Sequence, residues 1–188
     1  MCSGLYDRTG DLVKKLERYC REKHARKAAA AQILAFVKST ENCFERTHTA
    51  GHITGSAWLL NPTGDKALMS LHRKLKRWVQ PGGHADGQCD TLSVALREAE
   101  EESGISGISP ISEDIFDIDI HLIPARPGEE AHYHYDIRYL LRAPHENVVI
   151  SDESDALEWW SAADFAARRE ETDEAVLRMA ALIPGIKG

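Results

Sequence analysis

The chain has 188 residues, 43% of them hydrophobic, and a formal net charge of -7. That length and apolar content suit one globular domain, with or without an extension, and exclude a disordered chain. The acidic balance disfavours nucleic acid as a partner, because phosphate contacts need clustered Lys and Arg, so an anionic ligand must meet local cations: metal ions, or Arg73, Lys74, Lys76 and Arg77.

Cys2, Cys20, Cys43 and Cys89 show no CxxC spacing and read as reduced thiols of a cytoplasmic protein. No stretch is long and apolar enough to cross a bilayer, so no membrane partner is expected.

In chain order, residues 12–37 have helical character, with Leu12, Leu16, Tyr19 and Cys20 on one stripe before the run AAAAQILAFV. A break near 22–25 predicts two helices. Residues 1–40 read as a helical extension that packs on the domain or forms a homodimer contact, and 41–188 as the domain itself. GHITGSAWLL and residues 66–72 predict a hairpin across the turn at 61–65. His52, at the start of its first strand, is as readily structural as functional. Residues 74–80 then lead into Pro81, Gly82 and Gly83, a loop whose backbone can approach a ligand closely.

The next stretch, PGGHADGQCDTLSVALREAEEESGI, is a glycine loop, a helix and a glycine stop. Asp90 or Thr91 caps the helix, Leu92, Ala95, Leu96 and Ala99 give it a buried face, and Gly104 ends it. Glu98, Glu101 and Glu102 stand at i, i+3 and i+4, so their carboxylates converge near the negative end of the helix. Each pair at about 4 Å repels by roughly 1 kcal/mol in water and about 4 kcal/mol near a protein surface. Arg97 offsets one charge, and a hard dication, Mg²⁺ or Mn²⁺, is the natural counter-ion for the rest. A solvated acidic face is the plainer account of such a run. The glycine loop before it favours the metal.

This stretch resembles the Nudix box, GX5EX7REUXEEXGU with U aliphatic. Gly83, Arg97, Glu98, Ala99, Glu101, Glu102, Gly104 and Ile105 fall at their places, and Cys89 stands where the pattern has its first Glu. With HITGSAWLLN, LHRKLKRWVQPGGHADG, DIDIHLIP and HYHYDIRYLL, the resemblance covers roughly residues 43–165 and is to a bacterial Nudix hydrolase subgroup with a PGGH loop and an HxHxD strand. It implies an α/β/α sandwich around a mixed sheet, here with an added N-terminal helical segment. It also implies metal-dependent hydrolysis of a nucleoside diphosphate linked to another moiety. In that reading Glu98, Glu101 and Glu102 bind metal, joined by a backbone carbonyl at Gly83. Glu98, Glu101 and Arg97 form the catalytic set, and Cys89 replaces a supporting residue. Two alternatives stand beside it. A non-catalytic nucleotide sensor lacks any visible DNA-binding segment, and an isoprenyl diphosphate isomerase wants a cysteine over the alkene, a context neither Cys43 nor Cys89 offers.

Beyond the box, residues 116–122 and 132–138 alternate in polarity. An antiparallel hairpin with His121 opposite His132, Asp119 opposite His134 and Asp117 opposite Asp136 would gather three acids and three histidines on one face. Such groups suit Zn²⁺ or another transition metal, or contacts to phosphate and ribose. Asp119, His121, His132, His134 and Asp136 are therefore candidates for substrate or a second metal, as is His84 after the loop glycines. Glu153 and Glu130 are general-base candidates by position alone. Residues 148–150 predict a short edge strand or loop, residues 157–160 a core strand with Trp159 and Trp160, and two helices follow from about 162 and 173.

Overall fold

The computed structural model describes residues 5–126, 128, 130–151 and 154–182. The two N-terminal helices are α1 (Leu5–Tyr19) and α2 (Lys27–Ser39). Between them the Arg26 amide donates to the Tyr19 hydroxyl at 3.2 Å. Strands β1 (Gly51–Leu60), β2 (Lys66–His72), β3 (Arg77–Val79) and β4 (Gly82–His84) precede helix α3 (Thr91–Ser103). Strands β5 (Ser109–Pro110), β6 (Asp117–Ile123), β7 (His132–Arg142) and β8 (Ser154–Ser161) follow, then helices α4 (Ala162–Ala167) and α5 (Glu174–Leu182). The strand order is β3-β2-β1-β7-β5, with β4 against β1, β6 against β7 and β8 against β2. All ten residues of β1 are buried, the burial of a strand covered on both faces.

The contacts group into two units, one of Met1–Gly55, Gly83–Val94 and Glu113–Tyr139, the other of Ser56–Gly82, Ala95–Ser112 and Leu140–Gly188. In the first, Leu12, Leu16 and Tyr19 of α1 and Ala30, Ile33 and Val37 of α2 are buried. Phe36 stacks on Tyr135, with ring centroids 4.1 Å apart at 13°. The Lys15 ammonium lies 5.4 Å from the centre of the Tyr139 ring. On β1, a side chain at Gly55 would meet Val94 and the Thr91 carbonyl at 2.8 and 2.9 Å, so the first turn of α3 rests directly on the strand.

The β6–β7 hairpin forms, but two residues away from the expected register. Asp117 faces Arg138, Asp119 faces Asp136, His121 faces His134 and Ile123 faces His132. Sliding by two leaves every side chain on its face, so hydrophobic pattern alone does not choose between the alignments. Charge does. Each register sets one Asp against another, Asp117 against Asp136 in the expected one and Asp119 against Asp136 in the observed one, but only the observed one also sets Asp117 against the Arg138 guanidinium.

In the second unit, β2 pairs antiparallel with β3 and with β8, from Lys66↔Ser161 to His72↔Ser154. The β1–β2 turn is organised by Asn61, whose Oδ1 accepts from the amides of Gly64, Asp65 and Lys66. Trp160 is buried, tilted against Trp78 at 5.3 Å and covered by the Arg168 guanidinium at 4.1 Å. A reciprocal Ser161–Asp164 cap starts α4. Residues 148–150 form no strand; Val149 instead donates its amide to the Ser103 carbonyl at 2.8 Å.

Two segments read as connections are strands, β3 and β4. Pro81, whose carbonyl accepts from Ala57 at 2.9 Å, leads into β4. A side chain at Gly82 would lie 2.2 Å from the Ser56 hydroxyl, so glycine lets the two backbones meet.

Candidate functional site

Asp90 caps α3. One of its carboxylate oxygens accepts from the Leu92 amide at 3.2 Å and the other from the Ser93 hydroxyl at 2.5 Å. At the far end Gly104, with φ +69°, closes the helix in the left-handed conformation, its amide bonded to the Glu100 carbonyl. Ala95 and Ala99 are fully buried, which leaves the glutamates on the neighbouring flank.

There the single charge of Arg97 is shared between two carboxylates. Its Nη1 lies 2.7 Å from Glu98 Oε1 and 3.3 Å from Glu101 Oε2, so a single nitrogen draws two carboxylates together. Glu98 is largely covered, its side chain 13% exposed, while that of Glu101 is 61% exposed. Glu102 is buried and accepts the Gly82 amide at 2.7 Å, tying the helix to the first residue of β4. Glu98 and Glu101 thus offer oxygen donors, the kind a hard dication takes. Gly83 lies within β4 beside that anchor. The Cys89 thiol is directed at the Gly87 carbonyl at 3.7 Å.

On the hairpin, the acids gather around Arg138. Its side chain is 3% exposed and lies 2.7 Å from Asp136, 3.2 Å from Asp117 and 3.5 Å from Asp119. Asp136 also accepts from the Thr54 hydroxyl at 3.0 Å, and Asp119 pairs with Arg26 of the N-terminal segment. Burial alone would raise the Asp119 carboxyl pKa, but hydrogen bonding from His121 and the charges of Arg138 and Arg26 hold it well below the usual carboxylate range. Burial would likewise weaken Arg138 as a base, and the three surrounding carboxylates reverse that.

The histidines form a separate group in the same unit. The His52 ring centroid is 5.0 Å from those of His84 and His132 and 4.9 Å from that of His134; His134 in turn lies 5.1 Å from His84 and 5.4 Å from His121. One nitrogen each from His52, His132 and His134 lies within 4.8 Å of the other two. Burial, then the neighbouring imidazoles, lower the pKa of His52 to about 4 and that of His134 to about 2, so both are neutral at physiological pH.

Of the sequence candidates, His84, His121, His132 and His134 therefore come together, while Asp119 and Asp136 are engaged by arginine. His52, which sequence alone left undecided, sits among the four histidines. Its signal was the second position of a strand whose neighbours carry the HxH pattern, visible only once β1 and β7 are adjacent. Glu130 is exposed and offers its carbonyl to His132 Nδ1 at 2.9 Å. Glu153 lies outside the described residues.

The family model of the NUDIX domain matches residues 52–180, well over half of the chain. The chain belongs to the Nudix hydrolase family. The α/β fold with a mixed sheet expected from the box is the Nudix fold seen in solved structures. A Nudix-family hydrolase from Clostridium perfringens is 22% identical with a TM-score of 0.52, covering 70% of this chain and 97% of its own. A Caenorhabditis elegans Ap4A hydrolase is 20% identical with a TM-score of 0.51, covering 71% and 98%. The Escherichia coli dihydroneopterin triphosphate pyrophosphohydrolase is 17% identical with a TM-score of 0.52, covering 70% and 94%. No curated protein matches the sequence. Helices α1 and α2 precede the matched Nudix region, and no helix among the described residues is long and apolar enough to cross a membrane.

Proposed function

We propose that this Nudix hydrolase cleaves the diphosphate bond of a nucleoside diphosphate linked to another moiety, using Mg²⁺ or Mn²⁺ held by Glu98, Glu101, Glu102 and the Gly83 carbonyl. The observation that carries the reading is the pair of carboxylates, Glu98 and Glu101, gathered on one nitrogen of Arg97 at the end of α3. Bound there, the ion supplies charge to neutralise the phosphates and lowers the pKa of the attacking water.

The side chains have separable duties. Arg97 keeps two negative groups convergent that would otherwise turn apart, which pre-organises the oxygen donors. Glu102 fixes the backbone at Gly82 and so the position of the residue after it. Glu98, largely covered and within the oxygen cluster, takes the proton of the attacking water in this reading.

The test is a panel of nucleoside diphosphate derivatives incubated with Mg²⁺ or Mn²⁺, with release of a mononucleotide or phosphorylated fragment followed chromatographically. Cation-dependent turnover of at least one member is expected. Binding without cleavage across the panel would overturn the reading.

A further inference from the structure

The carboxylates that sequence placed beside the histidines are held by Arg138 and Arg26, so the imidazoles stand as a donor set of their own. His132 has a defined tautomer. Its Nδ1 contacts the Glu130 carbonyl at 2.9 Å, and a carbonyl can only accept, so Nδ1 carries the proton and Nε2 presents a lone pair. That Nε2 lies 3.3 Å from Nε2 of His134. Two nitrogens at roughly 2.0–2.1 Å from a tetrahedral metal are themselves about 3.3–3.4 Å apart, so this pair already has the spacing of two ligands on one ion. The third imidazole belongs to His52, 2% exposed, and neither of its ring nitrogens has a partner at hydrogen-bond geometry, although the His48 backbone lies close enough to favour its protonated form. Leaving a buried polar group unpaired is unfavourable, and here both ring nitrogens are affected.

We propose that His52, His132 and His134 form a three-imidazole site for a transition-metal dication of the Zn²⁺ class, with the fourth position open to water or another oxygen ligand. Imidazole donors favour such ions over Mg²⁺, which prefers oxygen, so this site and the glutamates of α3 select different metals. The Glu130 carbonyl on His132 Nδ1 is the outer hydrogen bond that fixes a ligating ring. Without metal, His134 Nε2–H donates to His132 Nε2. On binding, that proton shifts to another ring nitrogen or to solvent, and both lone pairs turn to the ion. His121, with Nδ1 3.6 Å from Asp119 Oδ2, stands next to His134 as a further orienting ring. The proposal is independent of hydrolysis, because it predicts metal content whether or not a substrate is cleaved.

The experiment strips purified full-length protein with chelator, titrates it with Zn²⁺ or Co²⁺ and removes excess metal by gel filtration. Retention of about one ion per chain is expected, with the intense visible absorption of four-coordinate Co²⁺. His132→Ala and His134→Ala should weaken binding beyond the roughly 10–100-fold typical of losing an outer hydrogen-bond partner. Circular dichroism verifies that each variant is folded. Glu98→Gln and Glu101→Gln should keep the full Zn²⁺ complement. Wild-type protein that retains neither ion, folded histidine variants that bind like wild type, or loss of Zn²⁺ in the glutamine variants would each overturn the site.

Discussion

Arg97 lies between two carboxylates and Arg138 among three, yet the two cations have different work. The first is more than a third exposed and meets two carboxylates near a helix end; the second is buried and takes up the three acids around it. Exposed ion pairs contribute little to stability, so Glu101→Gln should leave the unfolding midpoint nearly unchanged. Turnover should nevertheless fall by more than the roughly 10–100-fold expected for a supporting partner, with Glu102→Gln falling comparably. Steady-state assays across Mg²⁺ concentrations check both, and near-normal rates in both variants would remove the carboxylates from the mechanism. Cys89, next in sequence to the Asp90 cap, tests the box's one departure. Cys89→Glu should hold or raise kcat/KM, and a clear drop would mean that the thiol has its own role.

At the scale of elements, the caps, the helix stripe and the strand alternation were legible because each is written within a dozen residues. Asp90 and Gly104 bound α3 as local rules require. The β6–β7 register was not legible, since alternation repeats every two residues and is blind to a slip of two. The histidine cluster was legible only in part: His121, His132 and His134 read as one face of the hairpin, whereas the approach of His52 and His84 from β1 and β4 did not show. Arg138 is the element that distinguishes the alignments. Arg138→Met should destabilise the protein by about 3–5 kcal/mol at pH 7, because three carboxylates lose the buried cation that offsets them. Urea unfolding reads this directly. The deficit should shrink as pH falls below about 4, where those acids protonate in the unfolded chain and Asp119, held below its usual range, no longer favours the folded state. A pH-independent deficit would place the cost in packing instead.

Over the whole molecule, the depressed histidine pKa values set the acid limit. Above about pH 6.5 folded and unfolded chains both carry neutral imidazoles. As pH drops below that, the unfolded chain takes up protons that His52 refuses until about 4 and His134 until about 2, so stability falls with acidity. Metal-stripped protein should therefore show a urea midpoint that declines steadily from pH 7 to pH 4.5, and a flat profile would contradict the burial of these rings. The N-terminal helices share the fate of the hairpin they cover. Deleting residues 1–40 removes buried Leu12, Leu16, Tyr19, Ile33 and Val37, and should give aggregated or unfolded material by gel filtration and circular dichroism, although the family match begins only at residue 52. One further debt to that segment concerns the outer rim of β6, which among the described strands pairs only with β7. His24 reaches the Phe116 carbonyl at 3.1 Å and Arg26 the Ile118 carbonyl at 2.9 Å, occupying acceptors that a stray strand would otherwise seek. Two basic side chains thus act as a selvedge, finishing the sheet so that it does not go on being woven into a neighbour.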